Sequence, residues 1–266
     1  MQASTDPAVV APLKGLGILV TRPRDQAERL MAEIARRGGK PWWLPGLEIA
    51  PPADPAALDR ALDALPQCQW AIFVSPTAVA QAWPAITARG GLPAGLRLAA
   101  VGRGTGRELA ARGMAAVLTP SEQADSEALL ALPEFSAVGG QRVILFRGEG
   151  GRTLLADTLT ARGAVVIHAV CYRRVRPQAD TGAVLEAWRA GRIAAVTVFS
   201  RDSLDGLVEL LGAQGQDLLQ QTPLFAPHPR IAEHARQLGC ARVIVTAPGE
   251  EGILAALQDF ADRARY

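Results

Sequence analysis

Short apolar runs alternate with stretches whose apolar positions recur at helical spacing, from about residue 17 to about residue 260. The runs predict strands over 17–21, 70–75, 98–101, 116–119, 142–147, 164–172, 193–200, 224–226 and 242–246. After Thr21-Arg22-Pro23, residues Ala27, Leu30, Met31 and Ile34 share one helical face, and Gly38-Gly39 stops the helix. Pro23 suits a first helical turn. Similar helices are predicted to begin near Pro76, Gly104, Ser126, Gly151, Thr181, Asp202, Pro229 and Pro248. Strand and helix in alternation predict an α/β fold with mainly parallel sheets.

The pattern occurs twice. ILVTRPRDQAERLMAEIARRGG aligns with VILFRGEGGRTLLADTLTARGA, pairing Arg22 with Arg147 and Gly38 with Gly163 at a separation of 125 residues (147 − 22; 163 − 38). Ser75 matches Ser200 at 125, Gly113 matches Gly239 at 126 and Thr119 matches Thr246 at 127. A repeat this long implies duplicated domains rather than a solenoid. Each matched segment is a strand end leading into a helix, where open α/β sheets bind their ligands. Two facing sets of such loops predict a cleft between two lobes as the site. The proline-bounded stretch 41–52 and the β-like stretch 165–176 read as connectors between the lobes.

With 266 residues, 49% hydrophobic and 20% charged, the chain suits two folded domains of ordinary size. The first dozen residues read as an unstructured lead-in. No apolar run reaches the ~18 residues of a membrane span, and the N-terminus lacks the pattern of a secretory signal, so a cytoplasmic protein is expected. Cys68, Cys171 and Cys240 are odd in number and far apart, which argues against a disulfide framework or structural zinc. His168, His228 and His234 form no metal motif, and neither metal nor cofactor is expected. A net charge of +2 with no basic cluster among aromatics gives no sign of nucleic-acid binding. Of the 28 basic residues, only Lys14 and Lys40 are not arginine. Arginine suits two-pronged carboxylate binding, although codon bias would enrich it equally.

Four strand-to-helix loops could carry chemistry. Val101-Gly102-Arg103-Gly104-Thr105-Gly106 could present amides to an anion or merely cap a helix; as a dinucleotide fingerprint it fails at Arg107, although Glu122 stands near the ribose-binding distance. Arg147-Gly148-Glu149-Gly150-Gly151-Arg152 lacks a P-loop ending, and reads as a carboxylate-binding turn or a tight turn with solvated arginines. Ser75 and Ser200 stand at helix starts, where capping is their minimum role, and neither has a nucleophile motif. Tyr172 ends a connector strand beside Arg173 and Arg174, whose charge would ease proton release from the phenol; an interfacial aromatic is the alternative.

Taken together, these segments resemble the uroporphyrinogen-III synthase family. The likeness rests on V-T-R-P near the start, Pro45-Gly46-Leu47-Glu48-Ile49-Ala50-Pro51, the F-x-S-x-x-A-V of 73–79 and Ala100-Val101-Gly102 with Thr105. It extends through Arg147-Gly148 with Gly151-Arg152 to Tyr172-Arg173-Arg174, and spans about residues 15–260.

The resemblance implies two doubly wound parallel-sheet lobes joined by a two-stranded connector, with a cleft between the domains. One lobe takes residues 1–45 and 173–266, the other 50–168, with connectors near 42–50 and 166–176. It implies cyclisation of hydroxymethylbilane, with its eight carboxylates, to uroporphyrinogen III with ring D inverted and water lost, by a cofactor-free enzyme; a monomer is expected because no exposed apolar helix face is evident in the sequence. Tyr172 is then the candidate for assisting hydroxyl departure, and Ser75, Thr105, Arg147, Gly148, Arg152, Ser200 and Arg22 are candidates for holding carboxylates. Where the family often has a G-P-T-T-like loop, this chain has Phe225-Ala226-Pro227-His228-Pro229-Arg230, so His228 becomes either a substitute donor or a capping residue. A non-catalytic module that binds tetrapyrroles or small polyanions, and a nucleotide-binding enzyme, are the alternatives; product formation separates the first of these from an enzyme.

Overall fold

The computed structural model describes residues 11–121 and 125–263; the expected lead-in lies, up to residue 10, outside them. The described chain divides into two compact units, Met1–Glu48 with Val175–Tyr266, and Ile49–Arg174.

In the first unit, β1 (Gly17–Val20), β2 (Lys40–Trp43), β9 (Ala195–Thr197), β10 (Leu224–Ala226) and β11 (Val243–Val245) form a parallel sheet in the order β11-β10-β9-β1-β2. All four residues of β1 are buried because both faces are covered. Ile18 and Val20 pack with α1 (Arg24–Arg36) and α10 (Gly249–Arg263). Leu19 points the other way, towards α7 (Gly182–Arg189), α8 (Arg201–Gln221) and α9 (Pro229–Gln237). A strand with both faces buried reads as a continuous apolar run, and GILV is one.

The second unit repeats the plan. Its sheet runs β3-β8-β7-β4-β5-β6, from β3 (Glu48–Ala50), β8 (Val165–Val175), β7 (Arg142–Gly148), β4 (Trp70–Phe73), β5 (Arg97–Ala100) and β6 (Val117–Leu118). Ala71, Phe73, Ile144 and Phe146 face α2 (Ala56–Asp63), α3 (Pro76–Ala88) and α4 (Arg103–Ala110), with Phe73 and Phe146 stacked at 4.3 Å. Trp70, Ile72, Val143 and Leu145 face α5 (Ser126–Leu130) and α6 (Leu154–Ala161).

The duplicated positions are structurally equivalent. Gly38 and Gly163 end matching helices at φ +83 and +84, a conformation open to glycine without strain. Ser75 and Ser200 cap matching helices with nearly identical backbone angles, φ −157 and −153. The sheets correspond strand for strand, β2-β1-β9-β10-β11 against β8-β7-β4-β5-β6. Each matched set of five therefore takes two strands from one copy of the repeat and three from the other, and the second sheet adds edge strand β3, which has no counterpart in the first.

Two local expectations are corrected, and one helix was not foreseen. Residues 41–43, expected at the start of a connector, lie in edge strand β2; Pro41 is tolerated there because an edge strand pairs on one side only. Helix α2 was not among the predicted helices; the Asp54 carboxylate receives the Ala56 amide at 3.0 Å just before its first turn. The helix after Arg147 begins at Leu154 rather than near Gly151, because Gly150 and Gly151 take φ +64 and +80.

Candidate functional site

In a parallel sheet every strand delivers its following loop to the same edge, so each unit gathers its candidate residues at the carboxyl ends of its strands. In the second unit, Ser75 follows β4, Gly102 follows β5, Arg147 and Gly148 close β7, and Tyr172 lies on β8.

Tyr172 is 3% exposed and packs within the core of its unit. Its hydroxyl lies 3.2 Å from Ser75 Oγ, which also accepts the Ala78 amide at 3.1 Å as the cap of α3. Ser75 is partly exposed, so the pair reaches the surface through the serine. The ring lies against Gly148, where any β-carbon would be 2.8 Å from Cε2 and Cζ. A bulge between Arg147 and Gly148 brings Gly148 opposite Tyr172, and the Glu149 amide donates to the Tyr172 carbonyl at 2.7 Å.

The arginines of this unit are partly engaged. Arg147 donates Nε to the Gly148 carbonyl at 3.2 Å and Nη2 to the Gly150 carbonyl, which folds it over its own loop. Exposed Arg152 forms a two-pronged pair with Glu127 of α5. Thr105 is 3% exposed, inside the first turn of α4 rather than on an open loop.

In the first unit, Ser200 receives the Ser203 amide at 3.1 Å and caps α8. His228 caps α9, its Nδ1 accepting the Arg230 amide at 3.1 Å, which is the capping alternative. Arg22 bonds Glu250 of α10 and Gln26 of α1, and lies 4.4 Å over the Phe199 ring. Burial pulls its pKa below the ordinary arginine value against the opposing pull of Glu250, and its Nε has no hydrogen-bond partner.

Sequence reasoning missed several structural partners. Glu250 joins Arg22 and Arg29, and its place in the acidic first turn of α10 was the available signal. The Glu149 carboxylate takes the Ala53 amide, and Arg173 Nε donates to the Pro51 carbonyl at 3.1 Å, which ties the start of the second unit to β7 and β8. A β-carbon on Gly46, in the quoted proline-rich motif, would lie 1.8 Å from the Ser203 carbonyl oxygen. Glu122 lies outside the described residues. Among the described residues, no group of three His, Cys, Asp or Glu is placed to hold a metal ion, and no helix is long and apolar enough to cross a membrane.

The comparisons with known proteins agree with this architecture. A family model described as uroporphyrinogen-III synthase HemD matches residues 28–255. Uroporphyrinogen-III synthase of Escherichia coli is 32% identical over 255 residues, covering 91% of this chain and 100% of that protein. The Salmonella typhimurium enzyme is 31% identical over 246 residues, with 91% and 100% covered. Among solved structures, a uroporphyrinogen III synthase from Thermus thermophilus superposes with a TM-score of 0.61 at 17% identity, over 94% of this chain and 99% of that one. The Helicobacter pylori protein gives 0.59 at 14%, over 92% and 99%; at such identities the likeness shows the fold alone.

Proposed function

The chain belongs to the uroporphyrinogen-III synthase family, and on that premise we propose how its residues serve the reaction. It is a lyase of tetrapyrrole biosynthesis that closes hydroxymethylbilane to uroporphyrinogen III with inversion of ring D and loss of water. The observation that carries this reading is the match over the whole length of the Escherichia coli enzyme.

The pyrroles supply the electrons. Loss of the terminal hydroxyl as water requires a proton at that oxygen and leaves an azafulvene. Attack from the substituted position of ring D then forms a spiro intermediate, which fragments and recloses with ring D inverted. The protein must hold the chain so that this route outruns simple closure to the type I isomer.

We assign the proton to Tyr172. In the resting arrangement the phenol can donate to Ser75 Oγ, 3.2 Å away. Because the pair reaches the surface through the serine, the Ser75 hydroxyl can give its proton to the leaving oxygen while taking the phenol's proton, since a hydroxyl has one donor and two acceptor sites. Its second acceptor site already holds the Ala78 amide, and the amino end of α3 favours negative charge at this place.

Carboxylates would be held by Arg147, the Gly148 turn and Arg152 in the second unit, and by Ser200, Arg22 and His228 in the first. Arg152 is the most available of these, because its bond to Glu127 is exposed and a substrate carboxylate can replace it at little cost. Thr105 is the least available, being buried. The three free cysteines are buried thiols, which fits a reducing cytoplasm. Large exposed apolar side chains among the described residues are the separate Val165 and Val245, which fits a monomer.

Incubation of the purified protein with hydroxymethylbilane tests the reading. Type III product is expected; only type I, as in the enzyme-free blank, would overturn it.

A further inference from the structure

Both lysines of the chain line one depression. It lies in the first unit, at the amino ends of β1, β2 and β9, and has a volume of about 610 Å³. The candidate groups of that unit stand at the carboxyl ends of the same strands, about 10–13 Å away for strands of this length. This depression is therefore separate from them.

Its chemistry is one-sided. Lys14, Lys40 and Arg192 contribute positive charge to the wall, whose described residues include no carboxylate. Lys14 and Lys40 make no ion pair with any described residue. Arg192 reaches Glu186 only at 3.5 Å with both side chains largely exposed, and lies 5.8 Å from the Trp42 ring. Trp42 also lines the wall, and its buried Nε1 has no hydrogen-bond partner. Gly15 and Gly191, at φ +80 and +70, form tight turns beside the lysines and keep that rim free of side chains.

In a chain that otherwise uses arginine, the two lysines coincide in one place. Ammonium groups are compact point charges with freely turning donors, and they bind phosphates and carboxylates without demanding one planar geometry. The volume fits a small molecule.

We propose that this depression is an anion site that takes a compact oxyanion bearing two or more negative charges, such as a diphosphate or a tricarboxylate. It does not depend on the synthase reading.

Pyrophosphate and citrate, titrated by calorimetry into the full chain at constant ionic strength, test it. At least one is expected to bind saturably at one site, and the tighter of the two names the class. Lys14→Gln with Lys40→Gln should weaken binding at least tenfold without changing the melting temperature, each single change giving part of the loss, while Arg152→Gln leaves it intact. The Trp42 indole N–H resonance should move on saturation. No saturable binding of either anion, binding retained by the double variant, or equal displacement by chloride at the same ionic strength would overturn the proposal.

Discussion

Gly148 and Tyr172 are fitted to each other, the tyrosine ring filling the space that any β-carbon at residue 148 would need. The glycine at the end of β7 thus serves the aromatic on the neighbouring strand, and not only the flexibility of its own loop.

Gly148→Ala should move the ring away from Ser75. A fall in kcat of at least tenfold with little change in KM is expected, together with a stability loss of about 1–3 kcal/mol from overpacking. Tyr172→Phe should reproduce the kinetic loss while costing only about 1 kcal/mol of stability, the value of one hydrogen bond. Steady-state kinetics beside thermal melts decide it; wild-type turnover in either variant would remove Tyr172 from the proton transfer.

Ser75→Ala and Ser200→Ala form a matched pair, because both serines cap a helix in the same geometry and only Ser75 touches the phenol. Each should lose about 1 kcal/mol from the missing cap. Only Ser75→Ala should also lower kcat and change its dependence on pH. Equal kinetics in the two variants would reduce Ser75 to a cap.

Gly46→Ala tests a structural part of the proline-rich motif. The new methyl would lie 1.8 Å from the Ser203 carbonyl, and a β-carbon on Gly206 would meet the Gly46 carbonyl just as closely. Backbone cannot yield as a flexible side chain does, so a loss of about 2–4 kcal/mol is expected in denaturant unfolding.

Glu250→Ala leaves the Arg22 guanidinium, already short of one partner, without its carboxylate. With both side chains partly screened by solvent, the loss should be about 1–3 kcal/mol. Arg29→Ala removes the exposed partner of the same carboxylate, and about 0.5 kcal/mol or less is expected. Melting temperatures of the two variants give the order.

Burial pushes the Cys171 thiol up to about 12, above the ordinary thiol value, and also raises Cys68 and Cys240. Native protein at pH 8 should therefore react far more slowly with a thiol reagent than denatured protein. The folded state keeps these protons longer than the unfolded state. Their contribution to stability is thus complete below the unfolded thiol pKa near ~9 and is lost as pH rises through the folded values. Unfolding midpoints measured from pH 8 to 11 should fall, less so in Cys171→Ala.

The fold was largely legible because strand and helix follow local rules. GILV and WAIF announce strands buried on both faces, and Ser75 and Ser200 announce helix starts. The short helix α2 and the edge strand β2 were hidden by prolines, whose local preference gave way to the turn closed by Asp54 on the Ala56 amide and to one-sided pairing. In the site, arginines, serines and the tyrosine could be nominated by residue type, but their present partners could not. Glu250 for Arg22 and Glu127 for Arg152 lie far off in sequence, and charge alone does not select between acidic residues.

By itself the amino-acid order determined that two copies of one strand-and-helix series exist and which positions answer to each other. Only the tertiary structure decided that β1 and β2 of the first copy join β9, β10 and β11 of the second, while β7 and β8 join β4, β5 and β6. Parallel ladders use the same backbone donors and acceptors in either arrangement, so hydrogen bonding does not choose. Side-chain packing between distant segments does, as where Phe146 stacks on Phe73 and where Tyr172 meets Ser75, 97 residues away along the chain.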